Sequence, residues 1–229
     1  MLTKKLLGMV AGLASLMMTD SATAQGSVYT LQPRTAAVSA NDPFVCHREI
    51  NLTERMMRIP AQLLESVALT ESGKWNKTYK RKVSWPWTLN ANGKGYYFNT
   101  KAEAVAKVKE LQRSGIRSID VGCMQVNLYF HKDAFTSVEM ALEPAYNVRY
   151  AAKFLTNLKN RHGTWSNAVG YYHSGTPERH NTYRFKVLQT WRETRRTYAT
   201  RVSTQAMRQR FTLLEQRRMN RIRIASYEN

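Results

Sequence analysis

The chain has 229 residues, 43% of them hydrophobic, with 5 Trp, 12 Tyr and 7 Phe. That suits one domain of about 150 residues plus extra segments, and it excludes a chain too poor in apolar residues to build a core. The formal net charge of +19 calls for an anionic partner: nucleic acid, acidic lipid or an acidic polymer.

The first 24 residues have the pattern of a secretory signal peptide. Lys4 and Lys5 precede an apolar run from Leu6 to Met18, and Ala22-Thr23-Ala24 is a small-residue cleavage site. The run is too short for a stable membrane span. The expectation is a soluble periplasmic protein cut after Ala24. In an oxidising compartment the chain's two cysteines, Cys46 and Cys123, are read as one disulfide, the alternative being two buried thiols.

Residues 25–41 are polar and aperiodic and read as a flexible leader. Asp42 and Pro43 then suit a helix start, as cap and first-turn residue, for a helix to about Met57 with Cys46 and Ile50 inward. Pro60 suits the start of the next helix. Leu64, Val67 and Ala68 recur there at helical spacing, and Glu71 falls on the same stripe while Glu65 points elsewhere. Gly73 suits the stop. A carboxyl held at the end of a buried helix would keep its proton near neutral pH, as a general acid must. On spacing alone, a solvent-facing Glu is equally good.

Residues 74–99 hold Trp75, Tyr79, Trp85, Trp87, Tyr96, Tyr97 and Phe98, with a turn at Asn92-Gly93. They read as a short hairpin or long aromatic loop. Trp85 or Trp87 is the candidate platform for a sugar ring; the other use of such residues is a small satellite core. Thr100 to Glu103 is a capping box, followed by an apolar face of Ala104, Val105, Val108 and Leu111 and a stop at Gly115. From Ser118 to Phe130, Gln125 and Asn127 are amides inside an apolar run, either structural or ligand-binding. Asp120 reads as a helix cap before Gly122.

Thr136 to Glu139 reads as a second capping box. A helix from Pro144 to about Asn160 places Val148, Ala151, Ala152, Leu155 and Leu158 inward and ends at Gly163. A short helix spans about Ser166 to Tyr172, His173-Ser174-Gly175 turns, and Thr176-Pro177 opens a last helix carrying Tyr183, Val187, Leu188 and Trp191. Residues 191–229 hold ten arginines, three glutamates and no lysine, a basic helix with a frayed end.

Four features stand in fixed order: Glu71-Ser72, Gly122-Cys123-Met124-Gln125, Asn147 within Glu143-Pro144-Ala145-Tyr146-Asn147, and Tyr171-Tyr172-His173-Ser174-Gly175. Together, over residues 42–190, they resemble the soluble lytic transglycosylase (SLT) domain of the lysozyme-like superfamily. Cys123 departs from that family's usual Leu, and Tyr-His-Ser-Gly from its Tyr-Asn-Ala-Gly. The resemblance implies a mainly α, α+β lysozyme-like fold with a small β-hairpin or aromatic loop beside the cleft. It implies cleavage of the β-1,4 bond between N-acetylmuramic acid and N-acetylglucosamine in peptidoglycan, with formation of a 1,6-anhydro ring. Glu71 would act as acid and then base. Substrate contacts would come from Ser72, Met124, Gln125, Asn127, Tyr172 and His173, with Ser72 orienting Glu71. Asn147 and Gly122 would be structural. No cofactor is implied, and no ligand-spaced His/Cys cluster suggests a metal.

Two other readings remain open at this point. One is a lysozyme-type hydrolase with Asp120 as second carboxylate. The other is a non-catalytic basic module gripping peptidoglycan, anionic envelope polymers or a membrane surface through its tail. Export argues against nucleic acid as a routine partner. The sequence does not choose between general wall turnover and service to a secretion, conjugation or flagellar machine.

Overall fold

The computed structural model describes residues 42–225. The expected signal peptide and leader lie outside the described residues. Within them the fold is mainly helical, with two small antiparallel sheets.

The first helix, α1 (Val45–Met57), buries Val45, Cys46 and Ile50. It starts later than the sequence predicts. Asp42 accepts a hydrogen bond from the Phe44 N–H at 2.8 Å and pairs with Arg48, so it closes a turn before the helix instead of capping it. The second helix, α2 (Leu63–Ser72), also starts late. Pro60 sits in the preceding turn, its carbonyl accepting from the Leu63 N–H. The cap of α2 comes from α1: the buried Glu54 carboxylate accepts the N–H groups of Gln62, Leu64 and Glu65 at 2.9, 2.8 and 3.2 Å. Three of the helix-start donors that lack intrahelical partners are thereby satisfied from outside the local sequence.

Gly73 does end α2, but with φ −65°, which any residue adopts. Space demands the glycine: a Cβ would lie 2.2 Å from the Leu69 carbonyl and 2.4 Å from the Lys82 side chain. The chain runs straight into β1 (Gly73–Asn76), which pairs with β2 (Arg81–Ser84). The aromatic segment therefore forms two hairpins where the sequence suggests one. The second joins β3 (Thr88–Ala91) to β4 (Lys94–Tyr97) through Asn92 and Gly93, both at positive φ.

The helix α3 (Lys101–Arg113) carries the complete Thr100/Glu103 capping box and buries its four expected apolar residues. Next come β5 (Ile119–Val121) and β6 (Val126–Asn127), a short hairpin in a stretch expected to be helical. β5 pairs with β3, giving a four-stranded sheet of order β4-β3-β5-β6. Asp120 is thus a strand residue opposite Asn90, and not a helix cap. The short α4 (Val138–Ala141) is capped by Ser137 alone. Glu139 pairs with Lys109 of α3, so the expected second capping box does not form.

The remaining helices are α5 (Pro144–His162), α6 (Trp165–His173) and α7 (Pro177–Ala225). α5 has its proline in the first turn and buries the five apolar residues read from its spacing. One apolar core lies among α1, α2, α5, α6 and the start of α7; a second lies where β3 and β5 meet α3 and α4. The disulfide Cys46–Cys123 ties α1 to the β5–β6 turn across 77 residues, with both cysteines fully buried. Closing so long a loop is worth roughly 4 kcal/mol in the chain-entropy account. α7 continues without a break past Trp191, and from Arg195 to Met219 its residues are exposed. No described helix is long and apolar enough to cross a membrane.

Candidate active site

Glu71 is delivered to the floor of a cleft of about 390 Å³ by the last turn of α2. The cleft walls come from elements distant in sequence. The β5–β6 hairpin supplies Asp120, Gln125 and Asn127; α5 supplies Tyr150 and Phe154; the end of α6 supplies Tyr172 and His173.

Burial pushes the Glu71 carboxyl up to about 7, and the nearby negative Asp120 adds to the rise; a hydrogen bond from Tyr183 and the positive Lys186 oppose it. Tyr183, on α7, donates its hydroxyl to Glu71 Oε1 at 2.5 Å. Its ring stacks on His173 at 4.6 Å with an 8° interplanar angle. Glu71 Oε2 accepts no hydrogen bond among the described residues. One oxygen is clamped and the other is available to a ligand. Burial pushes the phenols of Tyr172 and Tyr183 well above their ordinary value, so both are hydroxyl donors at any physiological pH.

Gly122 and Asn147 hold the hairpin wall. Gly122 has φ +81° and lies so close to Asn147 that a Cβ would come within 2.6–2.9 Å of its amide. Asn147, fully buried, donates to the carbonyls of Val121 and Ala141 and accepts from the Met124 N–H. Gln125, three residues after Gly122, takes a left-handed φ of 46°, a conformation a non-glycine residue keeps only when its surroundings fix it. Its amide N–H₂ donates to the Thr88 and Gly122 carbonyls at 3.2 and 3.0 Å. Its amide oxygen is left over, in the cleft wall, as an acceptor.

Asn127 also lines the cleft, but its hydrogen-bonding capacity is spent. Its nitrogen donates to Asp120 Oδ1 and to the Ser118 hydroxyl; its oxygen accepts from the Tyr129 and Phe130 N–H groups. An amide offers two donors and two acceptor sites, so Asn127 orients Asp120 and the following turn and has nothing left for a substrate. Burial raises Asp120 above the usual carboxylate range, opposed by Asn127 and by the two cleft histidines, His173 and His131. Burial lowers His173, with Asp120 opposing.

Four expected substrate contacts are absent from the cleft. The Ser72 hydroxyl is fully buried and donates to the Cys123 carbonyl at 2.6 Å, away from the Glu71 carboxyl. Its role is to join α2 to the β5–β6 turn. The Met124 side chain is buried in the first core, while its carbonyl accepts the Tyr172 hydroxyl at 2.8 Å. Trp87 is buried in the second core, and Trp85 packs edge-on against it with its indole N–H donating to the Phe98 carbonyl. Neither tryptophan lines this cleft.

Sequence reasoning missed Tyr183, which holds Glu71, and the cleft wall of Phe130, His131, Tyr150 and Phe154. The His131 ring lies 2.8 Å from the Tyr150 hydroxyl through Nδ1 and edge-on to Phe154 at 4.8 Å. The one available signal concerned Tyr183. A phenol on a buried helical stripe needs a polar partner, and Glu71 was the carboxyl on another buried stripe.

A family model described as the transglycosylase SLT domain matches residues 49–193, well over half of the chain. No curated protein matches the chain, and no solved structure does. The match spans every element that builds the cleft, from α1 to the first third of α7. With the helical fold, the small sheet and the cleft carboxyl described above, it fixes the assignment: the chain belongs to the transglycosylase SLT domain family, of peptidoglycan lytic transglycosylase type.

Proposed function

We propose that this protein cleaves the β-1,4 bond between N-acetylmuramic acid and N-acetylglucosamine in peptidoglycan and closes a 1,6-anhydro ring, using Glu71 as its single acid–base group. The observation that carries this reading is a cleft carboxyl raised to about 7, with one oxygen held by Tyr183 and the other free.

The proposed chemistry uses that arrangement. Protonated Glu71 gives its proton to the glycosidic oxygen as the bond to the muramyl C1 breaks, releasing the N-acetylglucosamine hydroxyl. The substrate's own acetamido oxygen stabilises the positive charge at C1. Ionised Glu71, steadied by the Tyr183 hydroxyl, then takes the proton of the muramyl 6-hydroxyl as that oxygen bonds to C1. Glu71 ends protonated, ready for another cycle. In this reading the spare amide oxygen of Gln125, in the cleft wall, accepts the acetamido N–H. Acid–base assistance of this kind supplies about 10²–10⁴-fold. The signal-peptide pattern of residues 1–24 supports action in the periplasm.

One observation favours a second reading. Asp120 lines the same cleft as Glu71, and a second carboxylate is what a hydrolytic muramidase uses. Mass spectrometry of digested sacculi decides between them: anhydro-muramyl ends support the transglycosylase, reducing ends the hydrolase. Loss of cleavage with retained binding in Glu71→Gln is expected under either, and full cleavage by that variant overturns both.

A further inference from the structure

A second cavity, of about 500 Å³, shares no lining residue with the catalytic cleft. It lies between α1, the outer side of α2, the β1–β2 hairpin and the stretch of α7 from Thr190 to Arg201. Two opposite chemistries meet there. Lys80, Arg81, Lys82 and Arg201 face it, and among the described residues none of the four has an acidic partner within 4 Å. Arg81 stacks on Phe44 at 4.4 Å; burial and the repulsion of Arg201 both lower its pKa, and Glu65 and Tyr79 oppose the fall without making an ion pair with it.

Beneath the cations, two polar groups that line the cavity are buried with no hydrogen-bond partner: Glu65 Oε2 and the Ser84 hydroxyl, on residues 7% and 1% exposed. His47 Nδ1 lies 3.2 Å from that Glu65 oxygen without completing a hydrogen bond. Buried polar atoms are almost always satisfied, and leaving one unmet costs about 1–3 kcal/mol. A simple anion would answer the cations but be repelled by Glu65. A ligand bearing carboxylates together with N–H donors answers both. Trp75, 61% exposed at the rim, adds a flat apolar surface for a chain of peptide units.

We propose that this cavity binds an acidic peptide, its carboxylates against Arg81 and Arg201 and an N–H or ammonium group against Glu65, and that the peptide is the stem carried by the wall polymer. The last clause rests on the function proposed above. The cavity then grips the peptide while the cleft works on the sugar, with α2 as their common wall.

Calorimetric titration of the full chain with stem peptides, released from sacculi by an amidase, tests this. Binding is expected to saturate, to weaken with salt, to fall by roughly ten-fold or more in Arg201→Glu and in Glu65→Gln, and to be unchanged in Glu71→Gln. Hexaglutamate is the second probe. Binding of hexaglutamate without stem peptide overturns the proposal, as does binding of neither, or binding that the two variants leave unchanged. Glycan strands stripped of peptide separate this inference from the catalytic one. Cleavage of them without stem binding sinks only the cavity; stem binding without cleavage of either these strands or whole sacculi sinks only the active site.

Discussion

The Tyr183 hydroxyl donates to Glu71 Oε1 at 2.5 Å, joining residues 112 positions apart. Two opposing influences meet at this contact. Burial raises the carboxyl, and the phenol's hydrogen bond lowers it by favouring the ionised form. Tyr183→Phe removes the lowering influence and keeps the ring that stacks on His173. Glu71 in the variant should titrate higher than in the wild type, moving the alkaline limb of the pH–rate profile up. Under the proposed mechanism the rate at the optimum should fall by about ten-fold, because the carboxylate formed mid-reaction loses its donor. A profile with an unmoved limb would show that Tyr183 does not set the acid.

The pH dependence of the wild type has a definite sign. In the proposed mechanism the first step needs protonated Glu71, so the rate should decline as pH rises through about 7. Stability should follow the same group. Its folded value lies above the ordinary 4.5, so the native state holds the proton more tightly than the unfolded chain. Glu71's contribution is therefore most favourable at low pH and is lost between about 4.5 and 7. Glu71→Gln removes the buried charge and keeps the shape. Thermal unfolding should give that variant a higher Tm than the wild type at pH 8 and a similar one at pH 4. A lower Tm at pH 8 would mean that the carboxylate is better solvated than the cleft implies.

A second buried acid does purely structural work. Glu54 reaches from α1 to the start of α2 and accepts three N–H groups. Glu54→Ala leaves those donors unmet, at a cost of roughly 2–4 kcal/mol by denaturant unfolding. Because α2 carries Glu71, activity should fall with it even where the chain remains folded. Glu54→Gln retains an acceptor and should recover part of both. A variant Glu54→Ala of wild-type stability would show that the start of α2 is satisfied by solvent.

How much of this was legible beforehand depended on how local the deciding interaction is. The α3 capping box, the α5 apolar stripe and the Asn92-Gly93 turn are closed within a few residues, and their spacing reads correctly. The Glu71–Ser72 pair shows where locality stops. Both are at the end of one buried helix, yet one faces the cleft and the other bonds to the Cys123 carbonyl, 51 residues on. Asp42, Pro60 and Asp120 carry sound local cues for helix starts. The first is taken by Arg48, the second is displaced by a cap from Glu54, and the third is recruited into a strand by β3. The tryptophans have the right chemistry for a sugar, but Trp87 is buried with α3 in the second core and Trp85 packs against it. The order of the four motifs outlasts these local errors. It reflects which elements meet at the cleft, and the chain brings Glu71, Gln125, Tyr172 and His173 together there.

The exposed length of α7 makes one more measurable claim. Beyond Arg201 the helix carries Arg208, Arg210, Arg217 and Arg218 beside exposed Met207, Phe211 and Leu214, and it lines none of the described cavities. Removing residues 204–229 should leave cleavage of soluble glycan strands unchanged, since Tyr183 and Val187 anchor the helix well before the cut. Adhesion to whole sacculi should weaken at low salt, where exposed arginines act at longest range, and converge with the full chain at high salt. Co-sedimentation over a salt series reads the difference. If the truncated protein sediments like the full chain at every salt concentration, the arginines serve neither adhesion nor chemistry. If soluble-strand cleavage falls instead, the helix must be steadying Tyr183 and the Glu71 carboxyl from beyond its last buried turn.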